Sequence, residues 1–98
     1  MSSAADKVIG AQLKRLRTSQ SVTQQEVACR LKVTQSYVSL IETGRRRLRL
    51  TELFAYSTAI QITPERMYLS VREALASNED TEYLVHHQPT GESKTSRA

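Results

Sequence analysis

Four arginines stand within five residues, at Arg45, Arg46, Arg47 and Arg49. A guanidinium carries a permanent charge and a planar fork of donors that fits phosphate oxygens, so a loop of them suits a polyanion. Just before the run lie Gln35, Ser36, Ser39 and Leu40. On a helix these positions share one face, polar to mixed in character and free of acids. A face of that kind can enter the major groove of double-stranded DNA, where amides and hydroxyls match base edges. Gln24 adds a third feature. At the start of a helix its amide and the free backbone N–H groups can meet a phosphate.

Other chemistries find little support. No nucleophile–base pair and no phosphate-cradling glycine loop is visible, so an enzyme is not expected. Cys29 is the sole cysteine, which rules out a disulfide within the chain. It reads as a small buried hydrophobe. His86 and His87 are adjacent imidazoles without further ligands, so no metal or cofactor is expected.

The elements that must position these residues are helical. Glycine and proline are scarce, with three and two residues, and apolar residues recur at helical spacing. Helix one is expected over 6–19, with Asp6 as N-cap and Ile9, Leu13 and Leu16 as its stripe. Helix two is expected over 24–31. Thr23 caps it, Glu26 completes a capping box, and Val27, Ala28 and Leu31 face inward. Helix three is expected over 35–43, capped by Thr34, anchored by Val38 and Ile41 and stopped at Gly44. Helix four is expected over 51–60. Helix five begins at Thr63-Pro64 and fades near Ala76.

The stretches Thr23-Gln-Gln-Glu-Val-Ala and Val33-Thr-Gln-Ser-Tyr-Val-Ser-Leu-Ile-Glu-Thr-Gly-Arg resemble the Cro/repressor-type (Xre-like) helix-turn-helix family. The resemblance covers about residues 10–75. It implies an all-α, five-helix lambda-repressor-like DNA-binding domain that works as a homodimer on a palindromic operator. By position it implies base contacts from Gln35, Ser36, Tyr37 and Ser39. It implies phosphate contacts from Gln24, Thr43, Arg45 and Arg46, which the arginine run extends to Arg47. It also implies a structural ion pair between Arg17 and Glu42. The sequence departs from the family at Gln20, Lys32 and Gln61, where glycine is usual, and at Leu48, where proline is frequent. The first three must take left-handed backbone or another turn, at about 1 kcal/mol each.

Charge separates two regions. Residues 1–76 hold 12 Lys/Arg and 6 Asp/Glu, a net of +6, whereas 77–98 hold 2 and 4, a net of −2. Apolar periodicity stops near residue 77. The expected division is therefore a helix-turn-helix domain over 4–77 and a short, flexible acidic tail over 78–98. Within the tail, 81–87 is a candidate segment for a protein partner. No apolar run approaches a membrane span, and the first ten residues lack the pattern of a signal peptide, so a cytoplasmic location is expected. The apolar faces of helices four and five look wide for one small core, which suggests a dimer interface of Phe54, Met67, Tyr68 and Val71. The expected role is a repressor or autoregulator. A restriction–modification controller and an antitoxin share the same head, and a protein-interaction module is the alternative of another class.

Overall fold

A computed structural model describes residues 3–77, which form five helices. They are α1 (Ala4–Ser19), α2 (Gln24–Leu31), α3 (Gln35–Glu42), α4 (Leu50–Ala59) and α5 (Pro64–Ala76). The tail expected over 78–98, with its 81–87 segment and the His86–His87 pair, lies outside the described residues.

N-cap side chains start four of the five helices. Ser3 rather than Asp6 caps α1: the Asp6 amide donates to Ser3 Oγ at 3.1 Å, and the Ser3 amide donates to Asp6 Oδ2 at 3.0 Å. Asp6 is thus the return partner of a capping box, and two alanines extend the helix toward Ser3. Thr23 and Glu26 form the same box on α2, while Thr34 and Thr63 cap α3 and α5. Helix α3 ends one residue earlier than expected, at Glu42, and α4 is displaced by one residue toward the N-terminus.

The first four helices end alike. Each is followed by a residue of positive φ: Ser21 (59°), Lys32 (59°), Gly44 (74°) and Gln61 (65°). The next amide folds back on the last turn, as in Val33 N to Ala28 O at 3.0 Å, Arg45 N to Leu40 O at 2.9 Å and Ile62 N to Ser57 O at 2.9 Å. These 6→1 bonds satisfy carbonyls that a helix end leaves open. Gln20 is not left-handed, with φ of −92°; the strained position falls on Ser21 instead. The residues after three of these turns, Val22, Val33 and Ile62, turn back toward the core.

The core comprises Leu13, Val22, Val27, Ala28, Val38, Ile41, Leu53, Tyr56, Ala59, Ile60, Ile62, Met67 and Val71. Met67 and Val71 therefore belong to the interior of the domain, not to a partner-facing surface. Cys29 is exposed, contrary to the sequence expectation. It lies off the inward stripe of Val27, Ala28 and Leu31, since each helical residue turns about 100°.

Two glycines set the distance between α1 and the end of α3. A Cβ on Gly10 would collide with the carbonyl oxygen of Ile41 and lie 2.7 Å from that of Glu42. A Cβ on Gly44 would collide with the Lys7 backbone. The two segments thus meet backbone to backbone.

Candidate nucleic-acid interface

Helix α3 is held from below by Val38 and Ile41, which are buried, and by Glu42. This leaves Gln35, Ser36 and Leu40 exposed and Ser39 half-buried. Short, doubly anchored helices have little freedom to roll, so the outward face is fixed by the packing beneath it.

Under that face lies a buried charge network. Arg17 Nε donates to Glu42 Oε2 at 2.7 Å and Nη2 donates to Oε1 at 3.0 Å. The side chains are 9% and 1% exposed. Arg17 Nη1 also donates to Val22 O at 2.8 Å, which ties the α1–α2 turn to the pair. The Tyr56 hydroxyl donates to Glu42 Oε2 at 2.5 Å. Burial alone pushes the Glu42 carboxyl up, but donors from Arg17, Gln24 and Tyr56 outweigh it and hold the group below the ordinary carboxylate range. Burial, together with the Glu42 carboxylate, drives the Tyr56 hydroxyl far above its usual value.

The network reaches the surface through two glutamines. Gln24 Nε2 donates to Glu42 Oε1 at 2.9 Å, and Gln35 Nε2 donates to Gln24 Oε1 at 3.3 Å. A chain of polar contacts therefore runs from Arg17 in the interior to the exposed Gln35. Gln24, at the first position of α2, stands beside Gln35 at the first position of α3.

The loop after α3 divides its arginines. Arg45, Arg47 and Arg49 are exposed. Arg46 is half-buried and folds back: its guanidinium carbon sits 4.6 Å from the centre of the Tyr37 ring, and Nη2 donates to Glu52 Oε2 at 2.9 Å and to the Tyr37 hydroxyl at 3.2 Å. The Tyr37 hydroxyl in turn donates to Glu52 Oε2. Thr43 uses its hydroxyl internally, donating to Ser39 O at 2.8 Å. Gln35, Ser36, Arg45 and Arg47 are thus presented outward; Gln24 is half-buried with its side-chain amide held between Glu42 and Gln35, and Tyr37, Arg46 and the Thr43 hydroxyl are engaged with the protein itself.

Three participants escaped the sequence reading. Glu52 lies in the first turn of α4, where its Oε1 accepts from the Arg49 amide at 2.8 Å. Nothing in the pattern shows that its other oxygen faces Arg46. Tyr56 follows the apolar helical period of α4, which gives no sign of its hydroxyl partner. Gly10 did leave a signal, because a glycine inside a helix costs about 1 kcal/mol and calls for a reason.

The chain matches the family model described as a helix-turn-helix domain over residues 8–67. It is 33% identical over 57 residues, 58% of this chain and 74% of the relative, to the uncharacterised HTH-type transcriptional regulator y4dJ of Sinorhizobium fredii. Among solved structures it is similar to the restriction–modification controller protein C.AhdI of Aeromonas hydrophila. That match has 30% identity and a TM-score of 0.58, covering 62% of this chain and 92% of the other. It is also similar to an XRE-family-like protein of Pseudomonas syringae, with 28% identity and a TM-score of 0.64, covering 71% and 85%.

Proposed function

The chain belongs to the helix-turn-helix domain family, and from that premise we propose how it works as a DNA-binding transcription regulator. It acts as a repressor or autoregulator, binding a palindromic operator as a homodimer. One observation carries this reading: the outward face of α3 bears Gln35 and Ser36, has no acid, and is flanked by Gln24 and the exposed Arg45 and Arg47. Gln35, Ser36 and Ser39 read base edges. Gln24, Arg45 and Arg47 hold phosphates and set the register. Thr43, Tyr37 and Arg46 shape the loop between them. No catalytic step enters the reading, and no cofactor is required. The regulator works in the cytoplasm, as a prokaryotic or phage-encoded protein associated with the nucleoid.

Exposed apolar side chains support the dimer. Leu50 and Phe54 stand four residues apart on α4, and Tyr68 and Leu69 stand on α5; they are 64%, 46%, 56% and 52% exposed. Large exposed hydrophobes of this kind favour a second surface. A control protein of a restriction–modification operon is a second reading, favoured by the likeness to C.AhdI.

Selection of genomic duplex fragments by the purified protein tests the reading. The expected product is a two-fold symmetric site with half-sites about 34–36 Å apart. Gln35→Ala should relax preference at one base pair in each half-site by about 1–3 kcal/mol. Recovery of random fragments, or an unchanged preference in Gln35→Ala, would overturn it.

A further inference from the structure

A carboxylate beside a surface built for phosphate is a liability, because it repels the ligand and occupies an arginine. Glu52 is such a carboxylate. Its Oε2 accepts from Arg46 Nη2 at 2.9 Å and from the Tyr37 hydroxyl. The three groups hold one another although the Arg46 and Glu52 side chains remain 35% and 21% exposed. Arg46 stacks on the Tyr37 ring, and its Nε is buried without a hydrogen-bond partner among the described residues. The cost of that unpaired donor is borne by the folded chain. Burial pushes the Glu52 carboxyl up, yet donors from Tyr37, Arg49 and Arg46 leave it below the ordinary range, so it is charged at neutral pH.

We infer that Glu52 is a positioning residue for DNA recognition, which withholds Arg46 from the phosphates and locks Tyr37, exchanging charge-driven affinity for a fixed reading helix. The inference rests on the DNA-binding reading above. Tyr37 lies on α3 between Ser36 and Val38, and Glu52 lies in the first turn of α4. Glu52 therefore joins the reading helix to the next element across the arginine loop. With the clamp closed, three loop arginines remain free. With it open, the fourth can reach a phosphate and Tyr37 can turn.

Glu52→Gln separates the two roles of the residue. Glutamine also serves at this capping position, so the bond to the Arg49 amide is kept, while the charge that holds Arg46 is lost. Binding to a random-sequence duplex and to the selected operator is measured for the full chain from 50 to 200 mM salt. One additional phosphate contact steepens the salt slope by about 0.9, an extra loss of about 3.5-fold across that range. The expected result is tighter random-duplex binding at low salt with this steeper slope, and a smaller ratio of operator to random affinity. Glu52→Gln combined with Arg46→Ala should abolish the steepening, which a merely structural role of Glu52 would not produce. Unchanged slope and unchanged ratio in a Glu52→Gln chain that melts like the wild type would overturn the inference and leave the DNA-binding reading intact. A Glu52→Gln chain that melts lower with no steeper slope would also overturn it, assigning Glu52 to folding alone. A wild-type chain that binds neither duplex at 50 mM salt would overturn both.

Discussion

Replacing Arg17 by methionine tests whether the head is braced from inside. The side chain keeps much of its volume and loses three donated bonds, two to Glu42 and one to Val22 O. Glu42 is then a carboxylate only 1% exposed, without its cation. Breaking one side of a buried pair costs about 3–5 kcal/mol. Gln24 and Tyr56 still donate to the carboxylate, at 2.9 and 2.5 Å, so the lower end applies, about 3 kcal/mol. For a domain of this size each kcal/mol moves Tm by about 4–8 °C, giving a fall of about 12–24 °C. The domain should still fold, since total stabilities run to about 5–15 kcal/mol. Thermal unfolding followed by circular dichroism at neutral pH reads the change. Salt adds a second criterion: a buried pair resists screening, whereas an exposed one weakens at 1 M. A fall below about 5 °C, or one erased by salt, would show that the pair behaves as a surface contact and that the brace is elsewhere.

Three further outcomes follow from the same geometry. Gly10→Ala places a methyl group against the carbonyls of Ile41 and Glu42; because neither backbone can yield cheaply, denaturant unfolding should show a loss of about 3 kcal/mol. Lys32→Gly and Gln61→Gly relieve left-handed strain of about 1–2 kcal/mol against a gain in unfolded-chain freedom of about 0.5–1, so each should stabilise by about 0.5–1 kcal/mol in the same assay. Acid should separate Glu42→Gln from the wild type. The Glu42 carboxyl is depressed in the folded state, so its stabilising contribution is full above the unfolded value near 4.5 and is lost as pH falls through the lower folded value. The Tm advantage of the wild type should therefore shrink below about pH 4.5; an advantage constant from pH 7 to 3 would refute the assignment.

Helix existence was legible because the signals are local. Thr23 with Glu26, Thr34 and Thr63-Pro64 each announce a helix start, and the apolar stripes announce what is buried. What was not legible depends on register or on distant partners. The left-handed residue after α1 is Ser21 and not Gln20, because the helix runs to Ser19 and the turn closes one residue later. Met67 and Val71 belong to the core because α5 packs on both α1 and α4, a fact no spacing on α5 itself contains. Arg46 looked equivalent to its neighbours in a run of arginines. Only the tertiary placement of Tyr37 and Glu52, nine residues before and six residues after it, separates it from Arg45 and Arg47.

The buried pair itself needs a reason beyond stability, since well-packed apolar residues of similar volume are often as stable. The second contact of Glu42 supplies one. Its Oε1 accepts both from Arg17 Nη2 and from Gln24 Nε2, and Gln24 Oε1 accepts from Gln35. An amide has separate donor and acceptor ends, so a carboxylate partner forces Gln24 to point its NH₂ inward and its oxygen toward Gln35. That oxygen takes one N–H of Gln35 and leaves the rest of its amide oriented outward. An apolar pair in place of Arg17 and Glu42 would fill the same space but leave Gln24 free to rotate, and Gln35 with it. On the proposed mode of DNA binding the ion pair thus serves reading: it converts a packing contact between α1 and α3 into a fixed donor–acceptor order on the exposed face.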